Sequence, residues 1–356
     1  MSKKRIRDYG ILPGRLETGK RNKITDVPGV KVGHCTIKNE ENHTGVTVIL
    51  PGDDNSFANK YTAAAFIHNG FGKSAGLVQV EELGTLETPV ALTNTLNVGL
   101  VWDAVAGYVI QQCEREQVPV TSINPVVGEC NDSRINHIRR RAVHEEHVRR
   151  AIADAAEDFE EGGVGAGTGT VCYGLKGGIG SASRLVEIAG RTYTVGVLVQ
   201  SNFGATADFV LNGKAAGERI LELKEEKDHM AEAEQDQGSI MTILATDLPV
   251  DSRQLKRIIR RTAVGIARTG SYTGHGSGEI MIGFTTANRI PAAAVGGEEV
   301  LQTVSVIPED TINRAFQAAA EAAHEAILNS MVCAETTRGI GGEMYYSLAE
   351  FLAKIG

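Results

Sequence analysis

The stretch that decides the fold is EQDQGSIMTILATD, residues 234–247. Its first four residues are polar or acidic, and the run from Ile240 onward is apolar and of the kind found in buried strands. Gly238-Ser239 joins the two parts, so the pattern predicts a buried strand with a hydroxyl at its start. If the bond before Ser239 is cut, Ser239 becomes an N-terminal nucleophile whose own α-amine can act as the base. A Gly-Ser turn entering a strand is the alternative from this stretch alone.

The composition is ordinary for a globular protein. The chain has 356 residues, enough for one large domain or two medium ones, with 42% hydrophobic and 22% charged residues. A net charge of −8 argues against general binding of nucleic acid. The basic N-terminus lacks a following apolar segment, so we predict no signal peptide and no membrane span. Scattered cysteines without a CxxC pair predict reduced thiols and a cytoplasmic location; they are Cys35, Cys113, Cys130, Cys172 and Cys333.

Strand-like and helical segments alternate along the chain. The predicted strands lie at 44–50, 63–68, 89–95, 184–189, 192–200, 240–247 and 280–287. The predicted helices lie at 97–116, 206–223, 252–269, 311–331 and 344–354, the third with Asp251 or Ser252 as its N-cap. Alternation without a clear break predicts a single α/β domain over residues 1–356.

An acidic run, residues 222–236, precedes the Gly-Ser junction. It contains seven acidic residues and two lysines, with little apolar surface. Such a segment gains little from packing, and we therefore expect it to be a mobile part of the surface.

Three segments suggest ligand sites, but each fails the spacing rule of its motif. His144-Glu145-Glu146-His147, within the Arg- and His-rich segment 134–150, is not HExxH, because its second histidine comes one residue too early. The glycine-rich stretch 162–183 contains no GxGxxG, and Gly72-Lys73-Ser74 has Ile67 where a phosphate loop needs glycine. We predict a solvated helix face, close backbone packing, and no metal or cofactor.

The groups that hydrolysis needs besides the nucleophile lie in other segments. Ser277 and Glu279 are two residues apart, and positions i and i+2 of an extended segment share a face. Ser277 could bond Ser239 or its amine, and Glu279 could stabilise positive charge there. Asn202, after a predicted strand, could donate its side-chain N–H to an oxyanion. A polar loop and a turn asparagine remain the alternatives from spacing alone.

Seven stretches together resemble the DmpA-type self-processing aminopeptidases, also called the L-aminopeptidase/D-esterase or β-peptidyl aminopeptidase family. They follow the family's order and are spread over most of the chain. No single stretch is decisive, but the set is specific when combined with the spacing from Ser239 to Ser277. The stretches are ITDVPGVKVGH (24–34), NGFGKSAGL (69–77), PVALTNTLNVG (89–99), GLKGGIGSASR (174–184), VLVQSNFG (197–204), GSIMTILATD (238–247) and SGEIMIGFTTAN (277–288).

The resemblance implies a fold and a processing step. The implied fold is a four-layer α-β-β-α sandwich like that of N-terminal nucleophile hydrolases, with different strand connectivity. The implied cleavage at Gly238-Ser239 gives a larger chain, 1–238, and a smaller chain, 239–356, which stay together as one folded unit. Members of the family need no metal and assemble as homo-oligomers of the cleaved pair.

The resemblance also implies an activity and its residues. Family members release N-terminal residues from small peptides, amides and esters through an acyl-enzyme. Ser239 matches the nucleophile and Asn202 the oxyanion donor, while Ser277 and Glu279 match the supporting pair. These matches imply a serine aminopeptidase with small-molecule substrates, without nucleic-acid or membrane partners.

The chain departs from some family members at one position. Those members carry a tyrosine just after a GET-like motif, whereas this chain reads Gly128-Glu129-Cys130-Asn131-Asp132, with Asn131 at that place. An amide has neither the phenol's proton nor its ring surface. Substrate preferences of the tyrosine-bearing members therefore do not carry over, although Glu129 and Asn131 are expected to line the site.

Two other functions remain open from the sequence. One is an acyltransferase of the ornithine acetyltransferase type, which shares the self-cleaving logic but uses threonine where this chain has Ser239. The other is a non-catalytic oligomeric binding protein of the same fold.

Overall fold

A computed structural model describes residues 3–228, 237–292 and 301–355. Its strands are β1 Lys31–Lys38, β2 His43–Leu50, β3 Asn59–Gly70, β4 Thr85–Leu86, β5 Val90–Asn94, β6 Val126–Cys130, β7 Val171–Cys172, β8 Leu175–Lys176, β9 Gly178–Ile188, β10 Arg191–Asn202, β11 Val210–Leu211, β12 Lys214–Ala215, β13 Gln237–Thr246, β14 Gly276–Pro291, β15 Thr337–Arg338 and β16 Met344–Tyr345. Its helices are α1 Leu77–Leu83, α2 Val98–Arg115, α3 Glu145–Ala153, α4 Gly217–Asp228, α5 Ser252–Ile259, α6 Thr262–Ala267, α7 Asn313–Val332 and α8 Leu352–Ile355.

Two sheets form the centre of the molecule. The first has four strands in the order β1-β2-β5-β6, and the second has six in the order β4-β3-β14-β13-β10-β9. In the second sheet β13 pairs in parallel with β14 and antiparallel with β10. The strand that carries the Gly-Ser junction therefore lies in the interior of the larger sheet, bonded on both sides.

Alternation along the strands sorts the apolar residues into separate cores. On β2, Val48 packs toward α2 and α3, whereas its neighbour Ile49 belongs to the core between the two sheets. On β13, Ile243 belongs to that same intersheet core, and Leu244 packs with the helices on the far side. Because side chains alternate between the two faces of a strand, each sheet buries both of its faces. The order of layers is helices, sheet, sheet, helices.

Glycines let the outer helices approach the sheets closely. A Cβ on Gly33 of β1 would lie 1.9 Å from the carbonyl oxygen of Ala151 in α3. A Cβ on Gly180 of β9 would lie 2.0 Å from the carbonyl oxygen of Ala326 in α7. Backbone atoms occupy these places, so only glycine fits at either position. The predicted use of the glycine-rich stretch for close backbone packing is confirmed at Gly180.

A buried ion network fastens the N-terminal segment to α7. The guanidinium of Arg184 is fully buried, with Nη2 lying 2.7 Å from Glu325 and Nε 3.2 Å from Glu321. Arg7 reaches Glu325 from the other side, with Nε at 2.7 Å. Burial opposes ionisation of Glu325, but Arg7 and Arg184 outweigh it, so the pKa of Glu325 lies below its usual value.

Some predicted helices differ from the observed ones. The helix expected at 206–223 is a single turn and the small β11–β12 hairpin, followed by α4. Since α4 runs to Asp228, the acidic run begins as a helix, held by burial of Ile220 and Leu223; residues 229–236 lie outside the described part of the chain. The helix expected at 252–269 divides into α5 and α6, because the Thr262 hydroxyl bonds the Ile259 carbonyl at the break.

The remaining elements agree more closely with the sequence. Asp251 is the N-cap of α5, its carboxylate accepting the N–H of Gln254 at 2.6 Å. The helix expected at 344–354, in contrast, is wrong over most of its length, because the segment contains β16, a single helical turn at Leu348–Glu350 and the short helix α8. Within the described residues, none of the helices has the length and apolarity needed to span a bilayer.

Candidate active site

The Gly238-Ser239 bond lies inside β13 rather than at its edge. The strand begins at Gln237, so it starts two residues before Ser239. Ser239 pairs with Asn202, the last residue of β10, and with Gly278 of β14. Two neighbouring strands thus hold the bond on both sides.

Gly238 is required by its contact with β10. A Cβ at this position would lie 2.0 Å from the carbonyl oxygen of Asn202 and 3.0 Å from the Cα of Phe203. Both are backbone atoms, which cannot move aside as a flexible side chain can. Without a side chain at Gly238, the bond to Ser239 comes close to Asn202.

A backbone contact fixes the orientation of the Asn202 amide. Its Oδ1 accepts the N–H of Val171 at 3.0 Å, and a backbone N–H can only donate. The oxygen must therefore face Val171, and the Nδ2 group is left for the other side, where Asn202 lines a cavity. An oriented amide N–H beside a serine is the donor that an oxyanion requires.

The cavity in front of Ser239 has a volume of about 220 Å³. Eleven residues line it: Phe71, Lys73, Thr95, Glu129, Asn131, Ser133, Arg134, Asn202, Gly238, Ser239 and Gly276. Pockets for drug-sized ligands are typically about 300–1,000 Å³. A space of this size suits a short substrate.

Glu129 is a buried carboxylate on the cavity wall. It is 3% exposed, although carboxylates are seldom buried without partners. Its Oε1 accepts the backbone N–H of Lys73 at 2.9 Å, and its Oε2 accepts the hydroxyl of Thr95. These two bonds fix the carboxylate at the end of β6, facing the cavity. A fixed carboxylate in a small cavity can bind an ammonium group.

Asn131 also lines the cavity but is exposed. Its Oδ1 accepts the N–H of Ser133 at 2.9 Å, an arrangement typical of an asparagine in a turn. Lys73 and Arg134 line the cavity as well, and the ammonium of Lys73 lies 4.6 Å from the centre of the Phe71 ring. The cavity thus contains groups of both charges.

Ser277 and Glu279 lie on β14, beside β13 but outside the cavity lining. The Ser277 hydroxyl donates to Glu279, and both side chains are fully buried. Ser277 pairs with Gly238 and Glu279 with Ile240, whereas Ser239 pairs with Gly278. Paired residues share a face, so Ser277 and Glu279 point to the face opposite Ser239.

Cys130 lies directly behind the serine. Its single S–H is shared between two carbonyl oxygens, that of Gln200 at 3.4 Å and that of Ser239 at 3.5 Å from Sγ. Complete burial raises the pKa of the Cys130 thiol, so it stays protonated and is not a competing nucleophile. Its contacts instead hold β13 against β10.

The arginines and histidines of segment 134–150 are exposed or half-buried, and Arg134 among them lines the cavity. His144 and His147 stack at 5.8 Å, and the backbone N–H of His144 donates to Nδ1 of His147. Of the segment 134–150, only residues from Glu145 onward belong to α3, where Arg149 pairs with Glu145 at 2.6 Å. Among the described residues, no group of three or more His, Cys, Asp or Glu is arranged to hold a metal.

Sequence reasoning missed several residues of the site. Phe71, Lys73 and Thr95 belong to the stretches NGFGKSAGL and PVALTNTLNVG, but nothing in the sequence marks them as cavity residues. Ser133 and Arg134 come from a segment that meets these stretches only in the fold. The available sign is that Lys73 follows a predicted strand and Thr95 ends one, since site residues often gather in the loops beyond strands.

Comparison with known proteins gives the family. The sequence pattern of Peptidase family S58 matches residues 22–345. The β-peptidyl aminopeptidase BapA of Sphingosinicella microcystinivorans is 38% identical over 356 residues, covering 95% of this chain and 88% of that protein.

Solved structures agree over nearly the whole chain. The PH0078 protein from Pyrococcus horikoshii OT3 superposes with a TM-score of 0.90 at 44% identity, covering 98% of each chain. The L-aminopeptidase D-Ala-esterase/amidase from Ochrobactrum anthropi gives a TM-score of 0.88 at 33% identity, covering 98% of this chain and 96% of that one. The latter is described as a prototype for the serine aminopeptidases and a variant of the Ntn hydrolase fold. The predicted four-layer fold is confirmed.

Proposed function

The chain belongs to peptidase family S58 and is a serine-type aminopeptidase, and from this premise we propose that Ser239 is its nucleophile, released by self-cleavage of the Gly238-Ser239 bond. One observation carries the proposal: Ser239, the oriented Asn202 and the buried Glu129 line one cavity. The acyltransferase and the non-catalytic binding protein are not favoured by the relatives, which are aminopeptidases.

The self-cleavage step uses atoms that already lie together. The Ser239 Oγ attacks the carbonyl carbon of Gly238, and the carbonyl oxygen becomes an oxyanion that Asn202 Nδ2 stabilises. The C–N bond then breaks, the Ser239 nitrogen takes up a proton as a free amine, and an ester joins the two residues. Water hydrolyses the ester, leaving Gly238 as the carboxylate end of chain 1–238. The smaller chain, 239–356, begins at Ser239.

The peptidase step reuses the same groups. The α-ammonium of a substrate binds Glu129, whose carboxylate is held ready by Lys73 and Thr95. Ser239 attacks the substrate carbonyl, with Asn202 again holding the oxyanion, and the leaving amine or alcohol departs. Water then frees the N-terminal residue from its ester. Removing one oxyanion donor costs about 3 kcal/mol of barrier in comparable enzymes.

Ser277 and Glu279 act on the new amine rather than on the hydroxyl. Gly238 pairs with Ser277 in the intact strand, so its departure opens the space between Ser277 and the freed Ser239 nitrogen. The hydroxyl of Ser277 then bonds the amine, and Glu279, bonded to Ser277, stabilises its protonated form. The amine serves as the general base for Ser239.

We propose small peptides, amides and esters as substrates, because the cavity of about 220 Å³ has room for little more than a short residue. A cytoplasmic location is supported by five cysteines that are all free and buried. We further propose an oligomer of cleaved pairs, held in one folded unit. Large apolar residues exposed outside the cavity, among them Val78 and Tyr272, support it. Sedimentation of the purified protein tests this assembly.

Two measurements test the function. Intact mass should show two chains, one of them beginning at Ser239, and Ser239→Ala should leave a single chain without peptidase activity. Recovery of full-length chain alone from active protein would defeat the proposal.

Glu129 is tested by a matched pair of substrates. Glu129→Gln should raise KM for a dipeptide amide with a free amine by about 10- to 100-fold, through loss of a charge-assisted bond. The N-acetylated amide lacks that ammonium, so the variant should no longer prefer the free amine. If the preference for a free amine persists, another group binds it.

A further inference from the structure

Lys176 is a fully buried lysine whose side chain ends among backbone carbonyls. Its Nζ donates to the carbonyl oxygens of Gly167 at 3.0 Å, Thr170 at 3.0 Å and Gly177 at 2.8 Å. Among the described residues, no carboxylate forms a salt bridge with it, in contrast to Lys60, which pairs with Glu87 at 2.5 Å. Lysine is seldom buried unless it is paired, because removing an ammonium from water is costly.

The carbonyls of Gly167 and Thr170 belong to the loop that precedes β7, and that of Gly177 lies between β8 and β9. The Thr170 carbonyl also accepts the N–H of Gly177 at 3.0 Å, and the Thr170 hydroxyl donates to Gly167 at 3.1 Å. Desolvation lowers the pKa of Lys176 to about 7, and a neutral amine would still donate two of the three bonds. The lysine thus crosslinks residues 167–170 to Gly177, the residue before β9, whether its amine is charged or neutral.

The loop leads directly to the residue that orients Asn202. Val171, next after Thr170, donates its N–H to Asn202 Oδ1 at 3.0 Å. Val171 and Lys176 also pair with each other across the β7–β8 hairpin. Lys176 therefore constrains the Val171 N–H twice: through its bond to the carbonyl of Thr170, the preceding residue, and through its strand pairing with Val171.

We propose that Lys176 is a positioning residue for the reaction: it holds the loop so that Val171 keeps Asn202 Nδ2 aimed at the oxyanion. This inference rests on the role proposed above for Asn202. Lys176 is not among the residues that line the cavity, and its Nζ donates to none of them, so it acts through Asn202. A displacement of about 1 Å at such a donor can lower a rate by about 10²-fold.

A double-mutant cycle tests the inference. Lys176→Met, Asn202→Ala and the double variant are compared by the rate at which full-length chain converts to two chains, followed by intact mass for days. The kcat and KM for a dipeptide amide are then measured per chain that begins at Ser239. Lys60→Met is the matched control, because it removes a lysine whose partner, Glu87, lies outside the cavity lining.

The expected result is non-additive. Lys176→Met should lower both rates by about 10- to 100-fold with KM unchanged, and the double variant should be no slower than Asn202→Ala alone. Lys60→Met should leave the rates unchanged. If the rate losses of the two single variants multiply in the double variant, Lys176 acts independently of Asn202 and the inference is overturned. Wild-type rates in Lys176→Met would overturn it as well.

Two safeguards keep the outcome decisive. If Lys176→Met does not fold, Lys176→Gln, which keeps two N–H donors, takes its place in the cycle. A smaller loss of rate is then expected, and the double variant should again be no slower than Asn202→Ala alone. If Asn202→Ala keeps both rates, Asn202 is not the oxyanion donor and this inference falls, while the test of Ser239 by Ser239→Ala stands separately.

Discussion

Replacing Gly238 by alanine tests whether the close approach of β13 to β10 drives self-cleavage. The added Cβ would lie 2.0 Å from the carbonyl oxygen of Asn202, whereas nonbonded atoms pack at about 3.5–4.0 Å. Because the obstructing atoms are backbone, the strands must separate by roughly 1.5–2 Å next to the reacting bond. Misplacement on that scale costs about 10²-fold in rate.

The assay separates cleavage from later turnover. Precursor conversion, followed by intact mass, should slow by about 10²-fold or more in Gly238→Ala. Residue 238 leaves the active site once the bond is cut, so kcat per molecule beginning at Ser239 should equal that of the wild type. Thermal unfolding should show a loss of about 1–3 kcal/mol, the usual cost of overpacking.

A control in another element completes the design. Gly107 lies within α2, and a Cβ there would meet nothing within 4 Å. Gly107→Ala should be processed at the wild-type rate and stabilise the helix by up to about 1 kcal/mol. Conversion of Gly238→Ala at the wild-type rate would refute the reasoning, since the strands would then accept a side chain without moving the bond.

Three further predictions concern the amine, the buried ions and the histidines. Glu279→Gln should lower kcat by about 10²-fold. An α-amine has an ordinary pKa of about 7.7–8.0, and Glu279 raises the pKa of the Ser239 amine. Without Glu279 that pKa falls, so the rising limb of the pH–rate profile should move to lower pH. An unchanged profile would leave Glu279 without a role. Arg184→Met should cost about 3–5 kcal/mol of unfolding free energy in urea. The pKa of Glu325 is lowered in the folded state, so this stabilisation is present above about pH 4.3 and is lost as pH falls through the folded pKa. His147→Ala should leave activity and metal content unchanged, and stoichiometric zinc that depends on His147 would contradict this.

Local patterns predicted the centre of the strands well and their ends poorly. The apolar run 240–247 became β13, but β14 begins at Gly276, four residues before the predicted strand, and β9 begins at Gly178, six before it. Those extensions are polar or rich in glycine, and they are extended because partner strands bond them. Tertiary pairing outweighs the local preference of such residues.

The local pattern of the sequence singled out Ser239, whereas the roles proposed for the other site residues came from the resemblance. Ser239 lies where the polar, acidic run meets the apolar run of β13, and the resemblance implied the roles of Asn202, Ser277 and Glu279. The bonds that hold Glu129 involve residues 34 and 56 positions away, a relation without any periodic signature. Lys176 was hidden for another reason: a lysine among glycines is typical of an exposed loop, and only the closed fold buries it.

The place of β13 and β14 in the larger sheet bears on what cleavage does to the molecule. Apart from Gln237 and Gly238, both strands come from residues after the proposed cut, and they are flanked on each side by strands from before it. After cleavage, strands of the smaller polypeptide would lie between strands of the larger one. Separating the two polypeptides would then require the hydrogen bonds on both sides of the β13–β14 pair to break. Processing would then change refolding from a unimolecular reaction of one chain into a bimolecular reaction of two chains. Renaturation of the mature enzyme should therefore depend on protein concentration, whereas renaturation of Ser239→Ala should not.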